Sequence, residues 1–322
     1  MTHRTSIYLP RLALLSLVLA CLGLASTVTA SAARSPVRAN AIDQRADAFE
    51  VGTLRVEKHG THGTPLIFIP GLASGAWAWE GLVRRFQDSH VLYVVTLAGF
   101  DGRPAVAGKP MQLALQSLKD LLVVQHIVKP VLIGHSLGGV LALQLAEQDP
   151  GSISGLVSID GLPVFPGTEA MPPSQRPLMA DGIKARMAGM TGEQFAGQQL
   201  QYMRGIGVID PALAAKLAGH SANSDPAATT EYMAETLALD LRADLAKITV
   251  PVLLIAPYNA ADSAAQNISE SAKTDYYRSL LAGTPTLDVV PVSPSRHFAM
   301  FDQPTLVADA IDSYLAKLAA VR

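Results

Sequence analysis

The chain has 322 residues, 49% of them hydrophobic and 16% charged, with a formal net charge of −2. That balance allows a sizeable core in one large domain or two small ones and excludes general disorder. No basic run with interleaved aromatics is present, so nothing points to nucleic acid as a partner.

The first elements belong to export rather than to the fold. Arg4 and Arg11 form a positive lead, and Leu12 to Ala25 is apolar but shorter than the roughly 20 residues of a membrane-spanning helix. Val28-Thr29-Ala30 and Ala30-Ser31-Ala32 both fit a small-x-small cleavage site. The pattern predicts a signal peptide over residues 1–32 and an exported protein, periplasmic or secreted, with no stable transmembrane segment after cleavage. Cys21, the one cysteine, sits in Val18-Leu19-Ala20-Cys21, a loose match to a lipoprotein box. Leu19 is bulky for that role and the apolar run continues past Cys21, so ordinary cleavage is preferred to lipidation. The mature chain then needs no disulfide.

Residues 33–47 are small and polar, a flexible lead-in. Phe49 to Val56, with Gly52-Thr53 between two short runs, predicts an antiparallel hairpin. Short apolar runs follow at Leu66–Ile69, Val91–Val95, Val131–Ile133, Leu156–Ile159, Val252–Ile255 and Leu287–Val290. They suit strands buried on both faces of a parallel sheet. Apolar residues at helical spacing fall between them, over 113–122, 137–148 and 306–318. The alternation predicts an α/β fold, a doubly wound, mostly parallel sheet. From Pro163 to Thr249 no strand is legible, only a proline-rich loop and helices near 181–189, 193–204, 211–219 and 227–239. The expected division is a core over 48–162 and 250–322, with a helical lid over 163–249.

Gly134-His135-Ser136-Leu137-Gly138 follows one apolar run directly and opens a helix. A serine at such a strand-to-helix turn takes strained backbone angles, and Gly134 and Gly138 permit the close approach of strand and helix. The helix N-terminus sets unpaired N–H groups beside it, where an oxyanion would be stabilised. With these residues in place the chain resembles the α/β-hydrolase superfamily over nearly its whole length after residue 32. The run Ile69-Pro70-Gly71-Leu72 resembles that family's oxyanion loop, with Pro70 where His is common. Thr96 to Gly102 resembles its Asp-x-x-Gly-x-Gly turn, with Thr96 in place of the Asp. The resemblance implies Ser136 as nucleophile and the N–H groups of Leu72 and Leu137 as the oxyanion hole.

His297, in Ser295-Arg296-His297-Phe298, lies between the last predicted strand and the last helix. It resembles the family's C-terminal His-Phe signature, which implies the general base. Two carboxylates compete for the third place in the triad. A typical member carries its acid where this chain has Ala260, with Asp262 two residues on. Asp160 ends the strand Leu156–Ile159, where haloalkane-dehalogenase-like members carry theirs. Asp160 is preferred, with Asp262 as the alternative acid.

The expected chemistry is hydrolysis of carboxylic esters through an acyl-enzyme, on a small-molecule substrate. No cofactor is implied, and no His/Cys/Asp cluster has metal-ligand spacing. Met179, Met187, Met190, Phe195, Tyr202 and Met203 form either an apolar, adaptable pocket roof, which would favour apolar esters over charged ones, or the lid's own core. Trp77 and Trp79 read as core. Alternatives are another hydrolytic chemistry on the same fold (lactonase, amidase or C–C hydrolase) or a catalytically silent binding module.

Overall fold

The computed structural model describes residues 47–320. The expected signal peptide, Cys21 and all of the lead-in before Asp47 lie outside the described residues. Eight strands form one sheet: β1 (Asp47–Val51), β2 (Leu54–His59), β3 (Pro65–Ile69), β4 (Val91–Thr96), β5 (Val131–His135), β6 (Gly155–Ile159), β7 (Val252–Pro257) and β8 (Leu287–Val292). Their order is β1-β2-β4-β3-β5-β6-β7-β8. β1 and β2 form the antiparallel hairpin, with Gly52 at φ 54 in its turn, and β2 pairs antiparallel with β4. The remaining pairings are parallel. Every residue of β5, β6 and β7 is buried, as continuous apolar runs in a doubly covered sheet require.

Nine helices of seven residues or more are present among the described residues: α1 (Glu80–Phe86), α2 (Pro110–Val124), α3 (Leu137–Gln148), α4 (Arg176–Met187), α5 (Gly192–Tyr202), α6 (Pro211–Ser221), α7 (Pro226–Ala238), α8 (Glu270–Leu280) and α9 (Pro304–Ala320). Side chains alternate along each strand between two cores. Ile67, Ile69, Leu132, Leu156 and Leu254 pack with α2, α3 and α8 on one face. Leu66, Phe68, Ile133, Val157 and Leu253 pack with α1 and α9 on the other. α1 and α8 lie outside the helical stretches that the sequence predicts.

The helices α4 to α7 and a π-helical turn, Met203–Gly207, fill the interval between β6 and β7. Val164 and Asp240 form an antiparallel bridge where that interval leaves and rejoins the sheet. Beside the bridge, Arg176 is buried and donates to Asp240 and to the carbonyls of Leu239 and Thr168. α4 and α7 pack through Ala180, Ile183, Ala234 and Leu237.

The strand order reverses at β3. Its neighbour β4 lies on one side and β5 on the other, and chain connections leave these strands in opposite directions. A crevice opens at their carboxyl ends, the usual place for a ligand in such sheets.

Candidate active site

β3 and β5 pair in register with Ile69 opposite Gly134, so the loops that follow them are neighbours. A Cβ on Gly71 would lie 3.2 Å from the Ser136 Cβ, and one on Gly138 would lie 1.9 Å from the Ile69 carbonyl oxygen. Only glycine admits this contact between loop, elbow and helix. Ser136 has φ 52 and ψ −117, a conformation costly for a residue with a side chain. Its N–H donates to the Ile159 carbonyl at 2.9 Å, and its own carbonyl accepts from Val140 N–H at 3.1 Å. The sheet and α3 thus hold the turn from both sides.

Leu72 and Leu137 border the same cavity as Ser136. Leu137 opens α3, where first-turn N–H groups lack helical acceptors. The Leu72 loop is fixed by Ser74, whose N–H donates to the Gly71 carbonyl and whose hydroxyl donates to that of Leu72. Ala73 follows at φ 51.

Asp160 repeats the same device one strand along. It ends β6 at φ 51, with its N–H on the Ile255 carbonyl at 3.1 Å. Each of its carboxylate oxygens accepts one donor. His297 Nδ1–H donates to Oδ2 at 2.6 Å, and the Tyr277 hydroxyl donates to Oδ1 at 2.6 Å. Burial pushes the Asp160 carboxyl up, but the His297 charge and hydrogen bond, Lys273 and Tyr277 together hold it below the usual carboxylate range. The same burial and the facing carboxylate push the Tyr277 phenol far above its ordinary value, so it stays a donor.

Asp262 is placed elsewhere. Arg296 grips it through two bonds, Nε to Oδ2 at 2.7 Å and Nη2 to Oδ1 at 2.6 Å, and Asn259 Nδ2 adds 2.8 Å to Oδ2. Those bonds hold the Asp262 carboxyl below its ordinary value. The structure therefore joins His297 to Asp160 and leaves Asp262 on its neighbour. Arg296 also donates Nη1 to the carbonyls of Arg204 and Val208. His297 N–H reaches the Ile206 carbonyl and Phe298 N–H that of Gly207. The histidine loop is in this way stitched to the π-helical turn after α5.

His135, the residue before Ser136, is fully buried beside His297. Its ring packs 4.7 Å from that of His297, and its Nε2–H donates to the His297 carbonyl at 3.0 Å. Burial, then the neighbouring His297, pull its pKa down to about 3. It is a neutral buttress rather than a base.

Ser136, Asp160 and His297 all border one cavity of about 680 Å³. Of the expected roof residues, Met187 and Tyr202 line it, and Ile183, Met233 and Phe165 join them. Phe195 and Met203 are buried in packing instead. Trp79 is fully buried, and Trp77 stacks between His220 at 5.2 Å and Phe298 at 6.3 Å. Among the described residues no cluster of three or more His, Cys, Asp or Glu side chains has the arrangement of a metal site. Tyr277, Lys273, Arg296 and His135 are the site residues that motif reasoning missed. Arg296 and His135 adjoin motif residues, which was the available signal; the other two lie on the unanticipated α8.

A family model described as the alpha/beta hydrolase family matches residues 66–310. The pimeloyl-[acyl-carrier protein] methyl ester esterase of Pectobacterium carotovorum subsp. carotovorum (strain PC1) is 25% identical over 219 residues, 66% of this chain and 81% of that protein. The 2-succinyl-6-hydroxy-2,4-cyclohexadiene-1-carboxylate synthase of Escherichia coli O1:K1 / APEC is 32% identical over 120 residues, 37% of this chain and 47% of that protein. Among solved structures, a hydrolase from Pseudomonas aeruginosa PA01 superposes with a TM-score of 0.67 at 17% identity, covering 84% of this chain and 98% of that one.

Proposed function

Because the chain belongs to the alpha/beta hydrolase family, we propose that it is a serine hydrolase cleaving small carboxylic esters through an acyl-enzyme on Ser136. The observation that carries this reading is the ordered line Tyr277–Asp160–His297, with bonds of 2.6 Å at each link, in the cavity that Ser136 borders. The methyl ester esterase relative supports the same chemistry.

In this mechanism His297 removes the Ser136 proton as the hydroxyl attacks the ester carbonyl. Asp160 fixes the imidazole tautomer and stabilises the imidazolium. The oxyanion is held by the N–H groups of Leu72 and Leu137, each such donor worth roughly a hundredfold in rate. His297 then protonates the leaving alcohol, and water, activated by the same base, releases the acid and frees Ser136. Tyr277, by taking one carboxylate oxygen, directs the other at His297.

We read residues 163–249 as a lid whose α4, α5 and α7 roof the cavity with apolar side chains, Ile183, Met187, Tyr202 and Met233 among them. The N-terminal signal-peptide pattern supports export. The test is hydrolysis of p-nitrophenyl esters of rising acyl length by wild type and Ser136→Ala. Turnover by wild type that falls at least a thousandfold in the variant, on the order expected for loss of a nucleophile, supports the reading. No hydrolysis at any length contradicts it.

A further inference from the structure

Lys273 stands on α8 in the wall of the same cavity, one helical turn before Tyr277. Its ammonium lies 5.5 Å from the centroid of the Tyr277 ring. Two lysine or arginine side chains border the cavity among the described residues, Arg296 and Lys273. Arg296 is spent on Asp262 and on backbone carbonyls. Lys273 is not spent on any carboxylate or carbonyl among the described residues.

The carboxylates nearest to it in electrostatic effect are Asp160 and Asp262. Both already accept another donor on each oxygen. Asp160 gives one oxygen to His297 and the other to Tyr277. Asp262 gives both to Arg296, and one of them also to Asn259. A third carboxylate on the wall, Glu169, gives one oxygen, Oε1, to both the Tyr276 hydroxyl and the Gly167 N–H. Burial lowers the Lys273 pKa, with Asp160 and Asp262 offsetting part of that. An ammonium with three donors, half removed from water and bordering a largely apolar space, is costly unless something completes its hydrogen bonds.

We propose that Lys273 is an anion-binding subsite of the cavity, taking the carboxylate of a half-ester: a dicarboxylic acid with one end esterified. The inference rests on the ester-hydrolase reading for what happens at the other end. The ester carbonyl sits at Ser136, the apolar middle of the acyl chain runs along the cavity wall, and the free carboxylate pairs with Lys273. A charge-assisted bond in such a place is worth tenfold to a hundredfold in affinity, by order of magnitude. Lys273 is a specificity residue in this account, since it touches substrate away from the reacting atoms.

The experiment measures binding of monomethyl adipate and dimethyl adipate by calorimetry to Ser136→Ala, with Lys273 intact or replaced. With the lysine, the half-ester binds more tightly than the diester. In Ser136→Ala/Lys273→Met the ratio of the two affinities falls by about tenfold or more, and Lys273→Arg restores part of it. Lys273→Gln, polar and uncharged, takes the place of the Met variant if that fails to fold. A ratio that does not depend on residue 273, or no binding of the half-ester when the lysine is present, overturns the subsite. Hydrolysis of monomethyl adipate by wild type is followed in parallel. A lysine-dependent ratio with hydrolysis neither of monomethyl adipate nor of any p-nitrophenyl ester keeps the subsite and overturns the esterase reading. Hydrolysis with a lysine-independent ratio does the reverse.

Discussion

The Tyr277 hydroxyl lies 2.6 Å from Asp160 Oδ1, on the oxygen that His297 leaves free. Each carboxylate oxygen therefore has one donor, and the acid cannot rotate without losing both. Tyr277→Phe removes one donor and leaves a buried carboxylate oxygen unsatisfied. The bond favours the ionised acid, so its loss raises the Asp160 pKa. The expected result is a fall in kcat/KM of roughly tenfold, with the acid limb of the pH profile moved to higher pH. A drop with no movement of that limb would assign Tyr277 to packing alone.

Asp160 and Asp262 separate by partner, and their amides separate by effect. Asp160→Asn presents an amide where His297 needs an acceptor and is expected to lower kcat by about 10⁴. Asp262→Asn weakens a partly exposed pair with Arg296 and is expected to keep turnover within about tenfold. Steady-state kinetics on one p-nitrophenyl ester, with melting curves to match folding, decide the order. Near-normal turnover by Asp160→Asn would move the acid elsewhere.

His135 makes stability depend on pH. Its folded pKa is about 3 against an ordinary 6.5. As pH falls below 6.5 the unfolded chain takes up a proton there that the folded chain refuses until about pH 3. Stability attributable to His135 is thus whole above 6.5 and declines through that window, with a slope of up to about 1.4 kcal/mol per pH unit. The depressed Asp160 adds loss at lower pH, as its carboxylate protonates. Urea unfolding at a series of pH values should show a shallower slope for His135→Leu than for wild type between pH 6 and 4. Equal slopes would mean the ring is charged, or hydrated, in the folded protein.

The sheet was legible because its strands are continuous Val- and Ile-rich runs, and a strand buried on both faces needs little else. Ser136 and His297 were legible as candidates because each carries a local signature. Helix α8 was not, since only Thr274, Tyr277 and Leu280 of its residues are buried and no apolar stripe marks it. Its buried face mixes Thr274 and Tyr277 with Leu280, and Tyr277 turns its hydroxyl to Asp160. Lys273 and Tyr277 were hidden for that reason. The choice between Asp160 and Asp262 also lay beyond the linear pattern. It depends on Arg296, adjacent to His297 in the chain, turning its guanidinium to Asp262 while the imidazole turns to Asp160.

The central claim is that Ser136 is a nucleophile activated by His297. It is tested most directly by reacting wild type, Ser136→Ala and His297→Ala with a fluorophosphonate probe and locating the adduct by peptide mass. Rapid labelling of wild type on Ser136, none of Ser136→Ala, and labelling of His297→Ala slowed by about a thousandfold or more is the result this account predicts. A wild type that stays unlabelled, or labels as fast without His297, would contradict it.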